Sequence, residues 1–154
     1  PGRRALSRAG LNMIDASRYQ LGFVPPEGVD EEGLSRLVDA FYARVREDEL
    51  LGPIFNREIA DWPEHLAKLK KFWASTMLKK HGYDGRPLPP HLKLPEISDA
   101  HFHRWLDLFR QTAREQMPEL GAPAVSAMAE RIANSFRIAI AMHRGEDSTR
   151  LKPL

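Results

Sequence analysis

The sequence contains no cysteine, which excludes disulfides, thiolate metal sites and a cysteine nucleophile together and fits a reducing compartment. No apolar run approaches the length of a membrane span, and the first residues lack the apolar core of a secretory signal. The expectation is a cytoplasmic protein with no membrane association. Charge of one sign is also scarce: 23 Lys plus Arg against 21 Asp plus Glu leave a net +2, and nothing in that balance calls for nucleic acid. Strand-type alternation, internal repeats and low-complexity tracts are absent. What is present is a chain of 154 residues, sized for one domain. A chain of that length buries roughly 68 to 70% of its unfolded surface, enough for a core with a pocket.

The organisation read from the chain is an N-terminal extension over 1–28, a helical domain over 29–145 and a tail over 146–154. The extension carries four Arg against two acids, one apolar patch from Leu11 to Ile14, and ends in Pro25, Pro26 and Gly28; a weakly ordered tail and a short docked helix both fit it. From Asp30, a suitable N-cap, Leu34, Leu37, Val38, Phe41, Tyr42 and Val45 recur at helical spacing. Gly52 and Pro53 interrupt that period and predict a short turn that pushes Ile54 and Phe55 inward. Asp61, Pro63 and Glu64 open a second long helix to about Lys80, with His65, Leu69, Phe72, Trp73, Thr76 and Met77 on its inner stripe. Ser98 caps a third, with Phe102, Trp105, Leu106, Phe109 and Ala113 inward, and a fourth starts at Pro123, its stripe running through Val125, Ile132 and Phe136 toward His143. The fold class is therefore all-α.

Residues 81–97, between the second and third helices, contain four Pro and two Gly, so regular helix through most of the stretch is disfavoured. Irregular segments of that length in a compact domain are usually functional or disordered, and Leu88, Leu92, Leu94 and Ile97 supply anchors against disorder. Six histidines raise the question of a metal. His101 and His103 point about 200° apart on a helix and cannot share an ion as a helical pair. No two His stand four residues apart and HExxH is missing, so zinc is disfavoured. His65 and His91 differ in setting, one on a buried helical stripe and one in the proline-stiffened segment. A helix and a returning loop suit the two faces of a flat ligand. Haem asks for one neutral imidazole, apolar walls and a few polar groups over the open side. For each aromatic wall residue, plain core packing is the commoner role, and periodicity does not separate the two.

The segments FYARVREDELLGPIFN (Phe41 to Asn56), WPEHLAKLKKFWASTML (Trp62 to Leu78), YDGRPLPPHLKLP (Tyr83 to Pro95) and FHRWLDLF (Phe102 to Phe109) closely resemble the third group of truncated haemoglobins. The similarity runs from about residue 30 to 143 with its blocks in family order. The resemblance implies a short globin with helices packed two over two and a loop in place of most of the proximal helix, carrying haem b. By the same resemblance His91 is the proximal iron ligand, and Tyr42, His65 and Trp105 are the distal ligand-facing residues. Leu69 and Trp73 match pocket-lining positions. Phe41, Phe55, Phe72, Phe102 and Phe109 are offered as further walls, and Lys68 as a partner for a haem propionate, against the alternative of a solvated helix lysine.

Bound dioxygen carries partial negative charge, so donors from Tyr42 and Trp105 would slow its escape and favour retention over delivery. Two functions stay open in the sequence. One is binding of oxygen and related diatomics or anions; the other is redox turnover of peroxide or nitric oxide with His65 as acid and base. The second needs an external reductase, because no flavin or nicotinamide fingerprint is present. A monomer is expected.

Overall fold

The computed structural model describes residues 23–154, so both readings of residues 1–22 lie outside the described part. Helix α1 spans Glu31–Glu47. Asp30 caps it by accepting from the Gly33 N–H at 2.7 Å, which satisfies one of the amides left open at a helix start. Glu31 and Glu32 in the first turn and Arg44 and Arg46 in the last complement the helix dipole. The face bearing Leu34, Leu37, Val38, Phe41, Tyr42 and Val45 is buried throughout, as its spacing predicts.

Helix α2, Gly52–Glu58, stands where the sequence predicts only a turn. The buried Asp48 carboxylate causes the difference: it accepts from the amides of Leu50 and Leu51 at 3.1 and 3.0 Å, and its own carbonyl accepts from Gly52 at 2.8 Å. The chain leaving α1 is thereby bent directly into new helical turns. Pro53 falls in the first turn, where its missing N–H costs nothing. Ile54 is buried and Phe55 half-buried, the inward placement expected of them.

Helix α3 spans Trp62–Leu78, with Asp61 accepting from the Glu64 amide at 3.1 Å. It stops short of Lys80 because Lys79 turns left-handed, with φ 54°. Regular structure in the proline-rich stretch is confined to one short helix, α4, Leu88–Leu92. Helix α5 spans Asp99–Gln116. Helix α6 spans Gly121–His143 and begins ahead of Pro123, since the Pro118 carbonyl accepts from Gly121 and Ala122 at 2.9 and 3.1 Å. Gly121 is needed there: a Cβ would run into the Gly28 carbonyl of the incoming chain. His143 is exposed at the end of α6, outside the apolar stripe. A 3-10 turn over Ser148–Arg150 follows, and the last residues lie back on α6, where the Leu154 amide donates to Asn134 at 2.9 Å.

No strand occurs among the described residues. The long helices pair as α1 with α3 and α5 with α6, and the pairs meet where α1 packs on α5. The main packing of α4 is against α6. Thus the segment with His91 rests on one helix pair and the helix with His65 on the other. Phe41 and Phe109 sit at the junction, each 1% exposed. Burial of such a side chain stabilises by roughly 1.5 to 3 kcal/mol, so the aromatic residues around the site also hold the fold.

Candidate functional site

His91 is half-buried on α4. Its Nδ1 lies 2.5 Å from the Pro87 carbonyl oxygen. A carbonyl can only accept, so Nδ1 carries the proton and Nε2 keeps its lone pair. Phe136 of α6 meets the ring at 4.9 Å between centroids and 60° between planes, fixing its tilt. Burial, partly offset by the Pro87 contact, holds His91 below the ordinary imidazole range, so the ring is neutral at pH 7. A neutral imidazole with a committed Nδ1 is a ready-made metal donor.

His65, half-buried on α3, meets Trp62 edge-on at 6.0 Å. Burial first, then the charge of Lys68 and, in its protonated form, His91, push its proton affinity down. The influence of His91 on His65 places the two imidazoles in the same neighbourhood, approached from α4 and from α3. Tyr42 is buried on α1, and its hydroxyl lies within the influence of Trp105 of α5, which pulls its proton affinity down. An indole N–H only donates, so toward Trp105 the Tyr42 oxygen can only be the acceptor, and the phenol proton is left for another group. Burial also pushes the Tyr42 phenol far above its usual range, against a small opposing pull from Trp105, and the hydroxyl stays a donor.

Phe41, Tyr42, Phe55, Phe72, Trp73, Trp105 and Phe109 form one connected set of aromatic rings. Phe41 meets Tyr42, Trp105 and Phe109 at 4.8, 5.4 and 5.1 Å. Phe109 is sandwiched by Trp105 at 5.5 Å and Trp73 at 5.1 Å, both nearly parallel to it. Phe55 reaches Tyr42 at 5.9 Å, and Phe72 reaches Trp73 at 5.7 Å. Of the candidate wall residues, Phe41, Trp73 and Phe109 are buried, whereas Phe55, Leu69, Phe72, Phe102 and Trp105 are half-buried and pack against the core. The half-buried residues can wall a ligand, and the buried ones back them. Lys68 is exposed, 3.3 Å from Glu64, and its charge acts on both His65 and Tyr83, which puts it at the rim.

Four groups escaped the sequence reading. Trp62 bridges Tyr42 and His65 and carries Arg46 over its ring at 4.6 Å. Tyr83 lies edge-on to Phe72 at 5.3 Å. Phe136 and the Pro87 carbonyl hold His91. Of these only Pro87 had a local signal, four residues before His91 and on the same short helix turn. His101 is structural: its Nδ1 accepts from the Ser98 amide at 3.1 Å at the start of α5.

The donor set fits haem. Among the described residues no group of three or more His, Cys, Asp or Glu could hold a metal ion by itself. A metal on His91 therefore needs a cofactor to supply its other ligands, and the half-buried apolar residues at the edge of the core suit a flat, largely apolar one. An all-helical domain with a neutral imidazole committed at Nδ1 on α4 and a buried phenol among packed aromatic rings belongs to the globin class of folds. No protein-family model matches the chain. It is 36% identical over 115 residues to the group 3 truncated haemoglobin Ctb of Campylobacter jejuni, covering 72% of this chain and 91% of that protein. The crystal structure of a group III truncated haemoglobin from Campylobacter jejuni superposes with a TM-score of 0.70 at 35% identity, over 76% of this chain and 95% of that one. The chain belongs to the group 3 truncated haemoglobins.

Proposed function

We propose that this protein binds haem b through Nε2 of His91 and retains dioxygen or a related small ligand in the space bounded by Tyr42, His65 and Trp105. The observation that carries this reading is the Pro87 carbonyl at 2.5 Å from His91 Nδ1, which sets the imidazole in the tautomer a metal needs. Haem supplies an iron able to take a small diatomic or anionic ligand. The protein supplies the rest. Phe55, Leu69, Phe72 and Phe102 exclude water from the apolar faces, and Lys68 at the rim is available to a propionate. Tyr42 offers its hydroxyl proton to a ligand carrying partial negative charge, while Trp105 fixes the direction of that hydroxyl. In a dry site such a bond is worth roughly 1.5 to 3 kcal/mol, which favours slow release. His65, neutral at pH 7, stands beside this space as a gate or a second polar contact.

The test is the absorption spectrum of the full chain supplied with haem. A Soret band that shifts on adding carbon monoxide or cyanide is expected. His91→Ala is expected to lose haem and alter the spectrum; an unchanged spectrum and unchanged haem retention in that variant would remove His91 as the ligand.

A further inference from the structure

We infer that Arg144, at the far end of α6, is a positioning residue for His91, clamping the backbone that leaves α4 so that the imidazole keeps its orientation. This rests on the reading of His91 as the haem ligand. The Arg144 guanidinium donates to three main-chain carbonyls within four residues: Ile97 at 2.9 Å, Leu94 at 3.0 Å and Pro95 at 3.1 Å. Among the described residues it pairs with no carboxylate, so these carbonyls are what it serves. The planar fork of five donors is the side chain suited to several acceptors at once. The acceptors have a reason to need it: a segment broken by prolines has too few amides to satisfy its own carbonyls.

The clamp has a fixed base. The Glu146 amide donates to the Ala141 carbonyl at 2.9 Å and the Gly145 amide to Met142 at 3.1 Å, with Gly145 left-handed at φ 75°. This helix-ending arrangement locks the backbone on which Arg144 stands. The clamp also reaches His91 through few joints. The Leu94 amide donates to the His91 carbonyl at 3.2 Å, while the Leu94 carbonyl is held by Arg144. Phe136, on the same helix α6, bears on the ring itself. Helix α6 thus holds the proximal segment at two points, one beneath the imidazole and one beyond it. With either point released, the short helix α4, which has no buried residue of its own, is free to tilt.

The experiment compares Arg144→Ala and Arg144→Lys with the parent, each as the full chain as purified and supplied with haem. It measures haem transfer to excess apomyoglobin, the iron–histidine stretching band of the ferrous protein, and amide hydrogen exchange. Arg144→Ala is expected to speed haem loss about tenfold, shift or broaden the iron–histidine band and hasten exchange over residues 93–98, with α1 and α5 unchanged. Arg144→Lys keeps the charge without the fork and is expected to behave more like the Ala variant than the parent. Unchanged haem loss and an unchanged band in Arg144→Ala would overturn the inference, as would faster exchange spread evenly over all helices. If His91→Ala leaves the spectrum untouched, the ligand reading fails, and local exchange over 93–98 still decides whether Arg144 holds the segment.

Discussion

Trp105 acts on the Tyr42 phenol as a donor, lowering its proton affinity, and this makes the two residues unequal. An indole has one proton, and where it is directed at the Tyr42 oxygen the proton left for a bound ligand is the phenol's. Tyr42→Phe deletes that donor outright. Loss of a bond worth roughly 1.5 to 3 kcal/mol, expressed in the off-rate, accelerates dioxygen release by about one to two orders of magnitude. Trp105→Phe leaves the phenol in place and removes what aims it, so a smaller acceleration of roughly three- to tenfold is expected, in the range of a neutral hydrogen bond. Because the second residue acts through the first, the double variant should release ligand no faster than Tyr42→Phe alone. Stopped-flow displacement of dioxygen by carbon monoxide from the ferrous protein measures all three rates. Release that is unchanged or slower in Tyr42→Phe would refute the reasoning and make the indole the donor. Strictly additive effects would mean that both groups donate independently.

The corner between α1 and α2 supplies a stability prediction. Asp48, with a side chain 3% exposed, accepts from Leu50, Leu51 and Arg104, so Asp48→Ala strands the buried Leu51 amide and is expected to cost about 2 to 3 kcal/mol by urea unfolding. Burial raises the Asp48 carboxyl, but the Leu51 amide, Arg104 and the Leu50 amide together outweigh it and hold it below the ordinary carboxylate range. Its contribution is therefore complete above about pH 4 and is lost as pH falls through the lower folded value; urea titrations at pH 7 and pH 3 should differ less in Asp48→Asn than in the parent. At Gly145, where φ is 75° and an added Cβ meets nothing within 4 Å, Ala carries a backbone penalty alone and should cost about 1 kcal/mol, readable as a lower Tm.

Much of the scaffold could be read before the structure because its signals are local. Asp30, Asp61 and Ser98 each stand just before an apolar stripe of period 3.6, and each caps the helix predicted from it. Helix α2 was hidden because it is too short to show a period and depends on the Asp48 side chain folding over the next amides. The start of α6 was misjudged by two residues, since the Pro118 carbonyl, and not Pro123, sets its first turn. At the site, His91 stood out through its proline setting. Its contacts with Phe136 and the Arg144 clamp join residues far apart in the chain, and no spacing rule reaches them. The effect of Trp105 on Tyr42 is of the same kind: each residue was legible on its own helix, whereas their pairing depends on how α1 packs on α5.

Pro87, Pro89, Pro90 and Pro95 surround His91 closely enough to change the thermodynamics of cofactor capture. Proline limits the conformations open to an unfolded chain, so a segment this rich in it gives up less entropy on being ordered than a flexible loop of equal length. The proximal side can then be built by the polypeptide and merely engaged by the cofactor. Haem uptake should resemble insertion into a seat already cut to shape, with a small heat-capacity change and little gain in helical signal, in contrast to a globin whose proximal helix forms only as the cofactor arrives.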